Sequence, residues 1–298
     1  MVYFIGIDLG GSSVKSVAVT PQGVTFGTRV VAFDAASELD WARRIEDLVG
    51  EIQGAKGERA DGIGLAAPGL TSEDGRSIAY MPGRLQGLEG LDWTARLGRP
   101  GLVPVLNDAC AALEGEAWLG AARGFKNVIL LTLGTGVGGA AMVDGRLLRG
   151  HLGRAGHLGH ISLDIDGPSD ICRLPGSLEM AVGNCSVSDR TRGRFTSTHD
   201  LVAAHLAGDA EAGRVWLRSM RALACAVASL INVLDPEAVI IGGGISVCGP
   251  ALFGPLQSFL DDVEWRPGGR RVTVLSAQLG EYAGAYGAAH HAMQPGPL

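Results

Sequence analysis

The sequence predicts an α/β protein of two lobes with a cleft between them. Three observations carry that expectation. The chain has 298 residues, more than a single hydrophobic core usually organises. A strand, glycine turn, strand pattern occurs at the N-terminus and again near residue 128, and strand and helix signals alternate regularly, which implies sheets covered by helices. The faint similarity between the two patterns suggests related lobes, placed at residues 1–115 and 116–280, with a C-terminal helix at about 281–298 able to pack back on the first.

Residues 2–33 read as three strands, VYFIGID, SVKSVAVT and VTFGTRVVAF, rich in β-branched residues and parted by glycine-bearing turns. Trp41, Ile45, Leu48, Val49 and Ile52 follow at helical spacing, and GIGLA and VPVL read as short buried strands. A helix from about Ala109 to Ala122 leads to NVILLTL, a glycine-rich turn at 134–139, and the strands AAMVD and RLLR. Trp216, Met220, Leu223, Val227, Leu230 and Leu234 lie on one face of a helix that Asp235-Pro236 stops. AVII then runs into Gly242-Gly243-Gly244, and a last helix is expected from Glu281 to Ala292.

Composition removes several function classes. The 46 glycines do not recur every third residue, so the chain is not collagen, and 46% apolar against 19% charged residues excludes global disorder. A formal charge of −6 without a basic stripe argues against nucleic acid as a partner. Five cysteines with no CxxC pair (Cys110, Cys172, Cys185, Cys225, Cys248) read as reduced thiols of a cytoplasmic protein. The longest uncharged run, 128–143, holds 16 residues and four glycines, too short and glycine-rich for a membrane span. No leader peptide is read ahead of the first strand.

The chemistry concentrates at turns. In GIDLGGSSVK, Asp8 ends a strand and Gly10-Gly11 turn the chain, so backbone N–H groups and the Ser12 and Ser13 hydroxyls can face an anion. A plain hairpin is the other reading. Asp8 favours phosphate, because a carboxylate beside a phosphate needs Mg²⁺ between them, as phosphoryl transfer requires. A second turn offers Gly134, Thr135, Gly136, Gly138 and Gly139 between apolar strands. No GxxxxGK[ST] is present, which disfavours a Walker-type nucleotide site. Gly242, Gly243 and Gly244 would let a flat ring such as adenine lie on bare backbone, or make a tight turn. Asp108 follows a strand and precedes a helix, a place that suits either a general base or a helix N-cap. His157 and His160 stand three apart in GRAGHLGH and read as ligand contacts or as structural histidines.

Taken together, these motifs resemble the ROK family of sugar kinases and repressors, which share the ribonuclease-H-like, actin-like ATPase fold. The resemblance runs nearly end to end through IGIDLGGSSVK, AAPG, NDA, GTGVGG, GxxGHxGH and DPEAVIIGGG. It implies an ATP- and Mg²⁺-dependent carbohydrate kinase that phosphorylates a hexose-like sugar. Asp108 would be the base, and Asn107, Gly69, His157, His160 and Glu179 would lie at the sugar. Asp8, Gly10, Gly11, Ser12, Ser13, Lys15, the 134–139 glycines and Gly242–Gly244 would lie at the nucleotide, with Asp8 on Mg²⁺. Dimers are common in the family, which makes a homodimer the assembly implied. Repressors of the family carry an N-terminal helix-turn-helix, whereas here the first strand begins within three residues of Met1. A non-catalytic sugar sensor is the rival reading of another class.

Three positions depart from the family pattern. His157 stands where a glutamate is common, exchanging an acceptor of two hydroxyls for one acceptor nitrogen and one donor. That points to an amino sugar, ketose or cyclitol as alternatives to glucose. Of the usual zinc ligands only His160 and Cys172 remain, with Asp170 and Ser177 in place of cysteines, so no tightly held structural zinc is expected. The loop would then be fixed by packing through Pro168 and Pro175. Finally, Arg84 to Leu88 replaces an asparagine-bearing segment near the sugar.

Overall fold

The computed structural model describes residues 1–83 and 85–294, so Arg84 and residues 295–298 lie outside the described residues; of the C-terminal QPGPL, expected to fray, Gln294 is described and donates from Nε2 to Glu114 Oε1 (3.2 Å). Ten of its twelve strands form two five-stranded sheets laid out on one plan, antiparallel on one side and parallel on the other.

Unit 1 comprises Met1–Gly124, Arg149–Ala155 and the C-terminal stretch from Gln278. Its sheet opens with the antiparallel meander β1 (Phe4–Leu9), β2 (Ser13–Val19) and β3 (Thr25–Ala32). Helix α1 (Asp40–Lys56) returns the chain to β4 (Gly62–Ala67), parallel to β1. A small hairpin, β5 (Leu70–Thr71) with β6 (Ile78–Tyr80), and a single turn, α2 (Trp93–Arg96), come next. Strand β7 (Val105–Asn107) joins parallel to β4 and runs without a linker into α3 (Asp108–Leu119). Alternate residues Ile5, Ile7 and Leu9 pack with Trp41, Ile45 and Leu48 of α1 on one face of the sheet.

Unit 2 comprises Phe125–Leu148 and Gly156–Ala277. Here β8 (Val128–Leu133), β9 (Val137–Val143) and β10 (Arg146–Leu147) repeat the meander. Short helices α4 (Leu178–Val182), α5 (Val187–Arg190) and α6 (Thr198–Leu206) precede the long α7 (Ala210–Leu234). Strand β11 (Ala238–Gly242), helix α8 (Pro250–Val263) and β12 (Thr273–Ser276) complete the sheet in parallel. α7 starts six residues before its first expected core residue because Asp209 caps it, accepting from the Glu211 and Ala212 N–H groups, and it stops at left-handed Asp235. It is long and apolar enough to cross a membrane by composition, yet half of that window is buried in this unit.

The last helix, α9 (Ala283–His291), belongs to unit 1. It lies directly on β1 and β4 because Gly6 and Gly64, paired in register, carry no side chain: a Cβ on either would strike the Ala285 or Ala288 carbonyl. On its other side, buried Glu114 of α3 accepts from His290 Nδ1 (2.9 Å) and His291 Nδ1 (3.0 Å). Burial alone would raise the Glu114 carboxyl, but the two histidine hydrogen bonds outweigh it and hold it below the usual range. A carboxylate with a lowered folded pKa stabilises the protein above its unfolded value, about 4.3, and that stability is lost as pH falls through the folded value. Glu114→Gln should therefore cost about 1–3 kcal/mol near neutrality, in a gap that closes below about pH 4 in thermal unfolding. A gap independent of pH refutes the charge assignment.

Several expectations need correction. The helix expected over 109–122 starts at Asp108 and ends at Leu119, where the Glu116 carboxylate folds over Gly120 and takes the Ala121 N–H (2.7 Å). The turn expected over 134–139 is shorter, because Gly138 and Gly139 pair with Thr132 and Leu131 as part of β9. The division expected at residue 115 falls inside α3, which unit 1 keeps whole. The C-terminal helix begins two residues late, after a 3₁₀ turn at Gly280–Tyr282.

Candidate active site

Unit 1 gathers two acids at strand ends. Asp8 lies near the end of β1, opposite Lys15 of β2 in register. Asn107 ends β7, and its Oδ1 accepts from the Ala109 (3.0 Å) and Cys110 (3.3 Å) N–H groups. The N-cap is thus Asn107, not Asp108. Relieved of that role, Asp108 accepts the Ala109 N–H (2.8 Å) and lines a cavity of about 800 Å³ with Gly10, Gly11, Pro68, Gln86 and Glu89. The carboxylate is reachable from solvent although protein crowds it on the other sides. That crowding raises the Asp108 pKa. Burial pushes Asp8 up to about 7, with the Asp108 charge adding to it and Lys15 opposing.

The glycine turn between β1 and β2 is closed by Gly10 N–H donating to the Ser13 carbonyl (2.9 Å). Neither glycine has a positive φ, and a Cβ on Gly11 would meet nothing within 4 Å. Hairpin geometry therefore does not demand glycine at position 11, and its backbone is open. Gly69 has a structural reason instead: its φ is +106°, and a Cβ would stand 2.6 Å from the Tyr80 carbonyl oxygen. Asn107 Nδ2 donates to the Gly69 carbonyl (3.1 Å), tying the AAPG segment to the end of β7.

In unit 2 the turn Gly134–Gly136 joins β8 to β9. Its carbonyls are committed to protein, accepting from the Asn184 N–H onto Gly134 (3.0 Å) and the Cys185 N–H onto Thr135 (2.7 Å). Arg190 holds that segment from behind, donating to the Gly183 carbonyl (2.8 Å), Ser186 Oγ (3.0 Å) and Ser219 Oγ (2.8 Å). Burial lowers its pKa to about 10. Thr135 is exposed, and a Cβ on Gly134 would meet nothing within 4 Å.

Glu179, in the first turn of α4, accepts the Val137 N–H at Oε2 (3.0 Å) and leans on Gly136, where a Cβ would collide with it. His157 lies just ahead of a 3₁₀ turn at Leu158–His160, and burial followed by the neighbouring His160 lowers its pKa, leaving a neutral ring at pH 7. His160 Nδ1 meets Asp170 Oδ2 at 2.8 Å. His160, Asp170 and Cys172 are the one trio of metal-ligating type found close together among the described residues, with ligand atoms within 4.8 Å of one another. Of the three consecutive glycines, Gly242 ends β11 and Gly243 (φ 85°) is required because a Cβ would strike the Leu133 carbonyl, whereas Gly244 is open. Sequence reasoning missed Glu89 and Arg190. Glu89 lines the cavity and accepts the Met81 N–H (2.5 Å). Neither carries a motif, and only their folded neighbours give them a role.

The model of the ROK family matches residues 4–294. The chain belongs to the ROK family. Its fold is the actin-like ATPase fold of ROK sugar kinases. It is 33% identical to a glucokinase of Thermotoga maritima, covering 96% of this chain and 95% of that one. It is 30% identical to an N-acetylmannosamine kinase of Yersinia pseudotuberculosis, covering 96% of each. Among solved structures, a ROK glucokinase from Streptomyces griseus, in complex with glucose and AMPPNP, superposes with a TM-score of 0.78 at 28% identity, covering 98% of this chain and 99% of the other.

Proposed function

We propose that the chain is a cytoplasmic, ATP-dependent carbohydrate kinase that transfers the γ-phosphoryl of ATP to a hydroxyl of a hexose or hexose-like sugar. One observation carries the reading: Asp108 is freed from helix capping by Asn107 and faces a cavity roomy enough for a sugar and bordered by the Gly10-Gly11 turn. A raised carboxyl at that place suits a base that must both take and release a proton.

In the reaction Asp108 accepts the proton of the bound hydroxyl as its oxygen bonds to the γ-phosphorus and the bond to ADP breaks. Positioning supplies most of the acceleration. Glu179 and the histidines orient the sugar, and Asn107 acts mainly by holding Gly69 and the start of α3. The open backbone at Gly11, Gly134 and Gly244 admits phosphate oxygens and the nucleoside, with Ser12, Ser13 and Thr135 adding hydroxyls and Lys15 a positive charge beside Asp8. Two crowded carboxylates, one pushed up to about 7 by burial, are a donor set that a divalent cation suits, and Asp8 is the residue that would hold it. Mg²⁺ there would neutralise phosphate charge. An odd set of five free cysteines supports the cytoplasm, and a homodimer remains the assembly proposed.

His157 favours a second reading on substrate. A neutral imidazole offers a donor to a carbonyl as well as an acceptor, so an N-acyl amino sugar becomes as suitable as glucose. Coupled ADP release over hexoses, hexosamines, ketoses and cyclitols, with wild type and His157→Glu, tests both. The variant should shift relative kcat/KM toward glucose by about tenfold. An unchanged ranking refutes the His157 reading, and no turnover on any sugar refutes the kinase.

A further inference from the structure

We propose that Asp170 does by hydrogen bonding what a zinc ion would do in the 164–177 loop, and that it thereby fixes His160 as the Nδ1–H tautomer, leaving Nε2 a bare acceptor for a sugar hydroxyl. The second half rests on His160 being a sugar contact.

The residues do not fit a zinc site. Two ligands of one tetrahedral zinc stand about 3.3 Å apart or more, whereas His160 Nδ1 and Asp170 Oδ2 are at 2.8 Å, a hydrogen-bond distance. A fourth ligand is missing from the His160, Asp170 and Cys172 trio. Asp170 is already satisfied without metal. Its side chain is fully buried, Oδ1 accepts the Cys172 N–H (2.8 Å) and Leu174 N–H (2.9 Å), and Oδ2 takes the histidine. Those bonds close the loop on itself and anchor it to the 3₁₀ turn bearing His160. The prolines give weaker support: the Pro168 carbonyl accepts the Gly176 N–H (2.9 Å) and the Pro175 carbonyl accepts Ser162 Oγ–H (2.7 Å).

The tautomer follows from the partner. A carboxylate that receives backbone N–H groups can only accept, so Nδ1 must carry the hydrogen. A neutral ring has one such hydrogen, which leaves Nε2 with its lone pair. Nε2 has no hydrogen-bond partner among the described residues, and the His160 side chain is 21% exposed. A metal on Nδ1 would enforce the opposite: Nε2 would carry the hydrogen and donate. Asp170 is thus a positioning residue that inverts the hydrogen-bond polarity of His160, and the substrate must offer it an O–H.

The test uses the full chain. Metal analysis of purified protein should find less than a tenth of an equivalent of zinc, with Tm unmoved by EDTA. Ring ¹⁵N NMR, assigned with His160→Gln, should show the Nδ1–H tautomer. In Asp170→Asn the amide oxygen can keep the two backbone bonds while its NH₂ donates to Nδ1, so the ring should flip to Nε2–H. Sugar KM should then rise about tenfold with kcat and ATP KM little altered. About one equivalent of zinc, or an Nε2–H ring in the wild type, overturns the substitution of carboxylate for metal. A flipped ring with unaltered sugar KM overturns the sugar contact of His160 instead, and leaves the kinase assignment standing.

Discussion

Asp108→Asn should lower kcat by about 10²- to 10⁴-fold, the range a positioned general base supplies, while ATP affinity measured by titration calorimetry stays as in the wild type. The substitution suits the purpose because the helix start does not depend on the charge, although the neighbouring Asp8 should titrate lower without it. The helix start is capped by Asn107, and Asp108 itself receives the Ala109 N–H, which an amide oxygen can also accept. Fold and cavity should survive, so the loss reports proton transfer. Lowered ATP affinity together with lowered Tm would mean that the residue braces the unit. A kcat within about tenfold of wild type would remove Asp108 from the chemistry.

A large loss of stability should come from Gly6→Ala. The new methyl would drive into the Ala285 carbonyl and stand 2.7 Å from the Ala289 N, both backbone atoms of α9. Backbone cannot rotate aside as a flexible side chain would, so the helix must lift off β1 and β4. We expect a cost of about 3 kcal/mol, at the upper end of overpacking, read as a lower midpoint in urea unfolding. Gly50→Ala gives the contrast. That glycine lies in α1 with nothing within 4 Å of a Cβ, and replacing it should stabilise by about 0.5–1 kcal/mol through helix propensity. Equal effects of the two substitutions would refute the close seating of α9.

Much of the scaffold was legible because β-branched runs and one strongly amphipathic helix advertise themselves. The repeated meander, visible as GID-LGG-SSVKSVAV and as NVILLTL, a glycine-rich turn and AAMVD, becomes the shared antiparallel half of both sheets. α9 was harder to read. Its sequence AGAYGAAHH has no apolar stripe, and its burial comes from how closely small residues let backbones approach. At Asn107-Asp108, both side chains can cap a helix, so composition could not assign the cap and only the backbone direction did. Gly138 and Gly139 pair with β8 as strand residues, and glycine is needed at 139 because a Cβ there would strike Leu158 and the Gly156 carbonyl, a long-range cause no local pattern records. Asp170 was visible as a degenerate ligand, but its own donors appear only once the loop has folded around it.

Synthesis on the ribosome runs from N- to C-terminus, yet the helix that seats against Gly6 and Gly64 is encoded only from Ala283. While residues 125–148 and 156–277 emerge and assemble their own sheet, the unit begun first waits with one wall bare. The unit whose strands emerge before the other's is thus completed after it, and a chain that stops short of α9 leaves β1 and β4 without the helix that covers them.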